Sequence, residues 1–117
     1  MSDIAEILGV ADRPPFADVK VKVSGLPLAG MQHLLVAEFD AKWQFKAVVP
    51  AKIGTHDVEA DLSRAGKGRW RNFYVVRADA DAVKEWEASK EEPLSEPPGG
   101  TKMIAGPEAH LKPLTVD

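Results

Sequence analysis

Histidine is the side chain best suited to acid–base or metal chemistry at neutral pH. This 117-residue chain has three, His33, His56 and His110, and they stand far apart. None has a second histidine at helical or hairpin spacing. His56-Asp57-x-Glu59 offers three potential ligands, but in a strand His56 and Asp57 point to opposite faces. No metal site is therefore expected. Cysteine is absent, which excludes disulfides, thiolate metal sites and cysteine nucleophiles. Ser2, Ser24, Ser63, Ser89 and Ser95 fall in caps, turns or the tail, outside any G-x-S-x-G context. Gly66-Lys67-Gly68 lacks the spacing of a phosphate loop and reads as a hairpin turn with a solvated lysine. Glu85 and Glu87 share a helix but are two residues apart, so they do not face each other. These residues point to no catalytic centre and no cofactor.

One constellation is suggestive. Trp43, Phe45, Trp70, Phe73 and Tyr74 lie on two expected strands, interleaved with Lys42, Lys46, Arg69 and Arg71. Binders of single-stranded nucleic acid combine such groups, with aromatic faces stacking bases and cations following phosphates. Lys42, Trp43, Lys46, Arg69, Trp70 and Arg71 would form that platform. The competing reading is core. Alternation places Trp43 and Phe45 on one strand face with Ala47 and Val49. Phe73 and Val75 share one face of the later strand, and Trp70, Asn72, Tyr74 and Val76 share the other. Apolar groups on both faces mark a central strand covered on both sides. Core is the stronger reading of these aromatics.

The formal net charge of -3 conceals segregation. Residues 1–41 carry three basic groups and six acids, residues 42–77 eight and three, and residues 78–117 four and nine. A basic middle between acidic flanks marks either an anionic partner or a self-complementary surface. The self-complementary or solvated reading is the simpler one.

The elements that must position these groups are short. Asp3 and Glu6 stand at capping-box spacing. Ile4, Ile7 and Leu8 recur at i, i+3 and i+4. A short helix is expected over residues 3–8, stopped at Gly9 and followed by an extended link at Arg13-Pro14-Pro15. Val19, Val21 and Val23 alternate with Asp18, Lys20 and Lys22, a half-buried strand. Further strands are expected over 31–39, 43–49, 57–62 and 69–78, with Asp40-Ala41-Lys42 as a hairpin connection. Asp79-Ala80-Asp81 starts a helix that presents Ala82, Val83 and Trp86 on one face. Residues 91–117 hold five of the nine prolines and keep no period. That segment reads as an extended arm with sparse apolar anchors.

The fold class expected is mainly β: a small antiparallel barrel or sandwich of about five strands, of OB-like or SH3-like size. Short terminal helices and an extended proline-rich C-terminal arm complete it. The organisation is residues 1–15 as an N-terminal arm, 16–90 as a compact β domain with its helix, and 91–117 as the C-terminal arm. No apolar run approaches the roughly 20 residues that cross a bilayer. The N-terminus carries no secretory signal pattern, so a cytoplasmic or virion location is expected.

The function expected is a non-enzymatic structural or assembly protein. Its β domain would dock on a homo-oligomer or a larger, virion-like assembly through its arms, with Ile4, Ile7, Leu8, Met103, Ile104, Leu111 and Leu114 as anchors. The alternative is a single-strand nucleic-acid-binding barrel, and a weaker one is a small protein inhibitor or adaptor. No membrane partner is expected.

Overall fold

The computed structural model describes residues 3–13, 16–39, 41–61 and 71–110. Among these residues, two antiparallel sheets and one short helix make up a mainly-β domain. β1 (Ile4–Arg13), β2 (Phe16–Gly25) and β5 (Gly54–Asp61) form a three-stranded sheet in the order β1-β2-β5. β3 (Gln32–Phe39), β4 (Lys42–Val48), β6 (Arg71–Ala78) and β7 (Thr101–His110) form a four-stranded sheet in the order β4-β3-β6-β7. α1 (Ala80–Ala88) connects β6 to the segment before β7.

The two sheets share one core. Val19, Val21 and Val23 of β2 are buried, as the alternation requires, with Ala17, Val58 and Ala60 beside them. They meet Leu35, Ala37, Val49, Phe73 and Val75 of the facing sheet. Each such fully buried valine or leucine contributes roughly 1.5–3 kcal/mol. A second core lies on the far face of the four-stranded sheet, where Leu34, Val36, Phe45, Val76 and Ala78 are covered by Ala82 and Trp86 of α1. β3 and β6 therefore bury both faces, and residues 33–37 are all buried. Asp79 caps α1, accepting from Ala82 N at 2.8 Å.

The barrel expectation is corrected: among the described residues neither sheet closes. β1 runs beside β7 and β4 beside β5, but neither pair is hydrogen-bonded as a ladder. The domain is flattened, with principal extents of 42 × 27 × 16 Å.

The helix expected over residues 3–8 is a strand. Ala5 and Ile7 face the core, Ile4, Glu6 and Leu8 face outward, and Val10 faces the core again. Register shifts between Ile4/Ala5 and Ile7/Gly9 break the two-residue period. A bulge inserts one unpaired residue and moves the pattern to the other face. The result imitates helical spacing, and the long ladder offered by β2 overrides it. Arg13 pairs with Phe16, so β1 and β2 form a hairpin.

A bulge also corrects the reading of β4. Its register shifts between Leu35 and Val36. Phe45 consequently packs in the core under α1, whereas Ala47 and Val49 pack between the sheets. The four residues do not share a face.

Part of the C-terminal arm is a strand of the domain. Thr101–His110 pairs with β6 along its length. Pro107 is tolerated there because β7 is an edge strand, where one face of the backbone needs no ladder partner. Gly106, at φ 108, brings its backbone against the carbonyl of Phe73. The ten-residue strand was masked in sequence by its glycine, its proline and two register shifts.

Candidate functional site

β1 begins, β2 ends and β5 begins at one end of the three-stranded sheet, with Ile4 opposite Gly25 and Val23 opposite Gly54. In the other sheet β3 begins, β4 ends, β6 ends and β7 begins together. A hydrogen bond from His33 to Asp3 joins these two ends, so both sheets terminate at one pole of the molecule.

Exposed apolar side chains occur near that pole. Ile4 is 54% exposed, Leu26 48%, Leu28 67%, Val48 52% and Ile53 57%. Leu26 and Leu28 lie on the connection after β2 and Ile53 on the one after β4, whereas Ile4, the first residue of β1, and Val48, the last of β4, face outward from different sheets. The stretch Ser24–His33 carries no Asp, Glu, Lys or Arg, and residues 48–56 carry only Lys52. Single exposed apolar residues are ordinary, but grouped ones mark interaction surfaces.

Beneath the pole lies a buried polar cluster. His33 and Arg77 are directly opposite on β3 and β6, on the face toward the other sheet. His33 Nε2 donates to Asp3 Oδ2 at 2.9 Å, and the Arg77 guanidinium donates to Asp3 Oδ1 at 3.0 Å. The side chains of His33 and Asp3 are 0% and 6% exposed. Burial by itself would raise the Asp3 carboxyl. The His33 hydrogen bond, a bond within its own backbone and the Arg77 charge together outweigh burial and hold it below the usual carboxylate value. Because a carboxylate only accepts, His33 carries its proton on Nε2. Its Nδ1 is buried without a partner among the described residues. Nothing in the spacing of Asp3, His33 and Arg77 announces this cluster, since strand order alone assembles it.

The expected anchor residues separate by face. Ile4, Leu8 and Met103 are exposed, whereas Ile7 and Ile104 are half-buried against the core between the sheets. Leu111 and Leu114 lie outside the described residues.

The basic-aromatic residues are only partly brought together. Lys42 is exposed at the start of β4. Trp43, half-buried, meets Tyr74 with ring centroids 5.0 Å apart and planes tilted by 44°. Its backbone also exchanges two hydrogen bonds with Leu94, at 2.7 and 2.8 Å. Lys46 donates to Gln44 Oε1 at 2.6 Å and to the Asp61 carbonyl at 2.9 Å. Gln44 Nε2 donates in turn to the Lys90 carbonyl at 3.0 Å. These bonds line a cleft formed by Gln44, Phe45, Lys46, Asp61, Lys90 and Glu91. Lys46 of β4 is thus built into the structure by these bonds. Arg71 opens β6 opposite His110, and Arg69, Trp70 and Gly66-Lys67-Gly68 lie outside the described residues.

Tyr74 sits on the same outer face, where burial and then the Glu38 charge raise its phenol above the usual value. Glu38 accepts from Asn72 Nδ2 at 3.1 Å. His56 Nε2 donates to the Lys52 carbonyl at 2.7 Å. Among the described residues no three His, Asp or Glu side chains gather to hold a metal, and no helix is long and apolar enough to cross a membrane.

The geometry therefore offers an apolar pole over a buried polar cluster, and no family model, curated protein or solved structure matches this chain.

Proposed function

We propose that this protein is a non-enzymatic structural protein that assembles with further copies of itself through its apolar pole. The observation that carries this reading is the exposure of Leu26, Leu28 and Ile53 on the two connections at one end of both sheets. Oligomers of soluble proteins are most often symmetric and built from like copies, so one patch must face itself. A patch on stretches nearly free of charge can do so without opposing like charges. Burying such side chains against a second copy supplies roughly 25 cal/mol for each Å² of apolar surface removed from water.

Sedimentation velocity across a concentration series tests the reading. The wild type is expected above its monomer mass of 12.7 kDa at high concentration. Leu28→Asp combined with Ile53→Asp is expected to return it to the monomer with an unchanged near-UV circular dichroism spectrum. A wild type that stays monomeric throughout overturns the proposal.

A second reading, binding of single-stranded nucleic acid, is favoured by the Trp43–Tyr74 pair beside exposed Lys42. Fluorescence anisotropy with a labelled oligonucleotide at low salt decides it. Binding that weakens with added salt and with Trp43→Ala supports that reading. No binding at low salt removes it.

A further inference from the structure

The Asp3 carboxylate accepts from two residues of the facing sheet at once, His33 on β3 and Arg77 on β6. It adds a polar tie just before β1 to the packing of Ala5 and Ile7 against the opposite sheet. We propose that Asp3 is an acid-releasable latch: its protonation frees the corner of the three-stranded sheet at the apolar pole while the rest of the domain stays folded. This inference does not rest on the docking role of that pole.

The charges around the latch make it one-sided. From β3 comes His33, whose bare Nδ1 is buried; from β6 comes Arg77; from β7 comes Lys102, exposed and opposite Arg77 in register. β2 contributes the uncharged Ser24 and Gly25, and β4 leads to Val49, whose N–H donates to the His33 carbonyl at 2.9 Å. Asp79, at the same end, is engaged by the N-terminus of α1. Asp3 is thus the carboxylate set among basic groups. Once neutral, it leaves Arg77 without its counterion and converts an anionic acceptor for two donors into a weak one. Losing the anion removes the attraction that holds Asp3 to the facing sheet at this corner.

The local ladder can yield without the whole. The start of β1 carries a register shift between Ile4 and Ala5, and Ile4 itself is exposed. The large buried side chains Leu34, Phe73 and Trp86 lie on other elements.

The test is amide hydrogen exchange read residue by residue by NMR, corrected for intrinsic rates, from neutral pH down through the carboxylate range. Protection at Ile4–Ile7 and Val23–Gly25 is expected to fall at least about tenfold before β3 and β6 lose theirs, consistent with the strength of hydrogen bonds to charged groups. Asp3→Asn is expected to show the same local loss already at neutral pH, with no further step in acid. His33→Gln, which keeps an N–H for Asp3, is expected to retain protection at neutral pH. Loss of protection everywhere at one pH in the wild type overturns the proposal, as does wild-type protection in Asp3→Asn. If Asp3→Asn does not fold, the wild-type titration decides alone.

Discussion

The indole Nε1 of Trp86 donates to Thr101 Oγ1 over 3.0 Å, tying α1 to the first residue of β7. Trp86 is fully buried and closes the outer core. The helix and the last strand are therefore one unit, although twelve residues lie between Ala88 and Thr101. Trp86→Phe keeps most of the packing and loses the bond, and is expected to cost about 1–2 kcal/mol. Trp86→Ala also opens a cavity and is expected to cost about 3–5 kcal/mol. Urea unfolding measures both; an unchanged midpoint for Trp86→Phe would show that the bond contributes nothing.

Ser89 links helix and sheet in a second way. Its hydroxyl accepts from the Phe45 N–H at 2.8 Å and donates to the Trp86 carbonyl, fully buried. Phe45 sits on β4, an edge of its sheet, where unpaired backbone groups invite foreign strands. Ser89→Ala leaves that N–H buried and unsatisfied, which is expected to cost about 1–3 kcal/mol. Chemical denaturation reads the loss, and a neutral result would mean that the edge finds another partner.

Two glycines separate backbone strain from close approach. Gly30 has φ 84 with open space around it, so Gly30→Ala is expected to cost about 1–2 kcal/mol from the left-handed backbone alone. At Gly106, φ is 108 and an added Cβ would stand 2.6 Å from the Phe73 carbonyl oxygen, a backbone atom of the neighbouring strand. Gly106→Ala must also displace β7 and is expected to exceed Gly30→Ala in cost. Equal shifts in thermal midpoint would show that β7 gives way freely.

The pH dependence of stability has opposite signs at its two limits. Asp3 is held below its ordinary value of 3.8 in the folded protein. Its contribution is present above the unfolded value and is lost as pH falls through the folded one. Tyr74 is raised above 10.0. The unfolded chain therefore gives up that proton first, and stability falls as pH rises through about 10. Tyr74→Phe is expected to flatten the alkaline limb and leave the acid limb unchanged. Denaturation midpoints collected across the pH range check both.

The parts of the fold that were legible in sequence are those where one force dominates. The Val19–Val21–Val23 alternation marks β2 because one face of that strand meets the core and the other meets water. Asp79, Ala82 and Trp86 mark α1 by its cap and its stripe. β1 and β7 were hidden because bulges at Leu8 and near Ile104 shift their faces midway, a change that depends on the partner strand. The same holds for β4, where one extra residue at Lys46 sends Phe45 and Ala47 to different cores. The Asp3–His33–Arg77 cluster was hidden for a different reason: each member is ordinary in its local sequence, and their meeting depends wholly on strand order.

β1 begins at the apolar pole, and β7 runs from that pole to the opposite one. A pull on β1 away from the pole, with β7 held at the far end, therefore acts along the strands. Ladder hydrogen bonds between antiparallel strands lie perpendicular to them. Such a load meets the β1–β2 and β6–β7 ladders in shear, so each must yield along its whole length at once. The two terminal strands, placed on separate sheets, give the domain its stiffest response along the line that joins its poles.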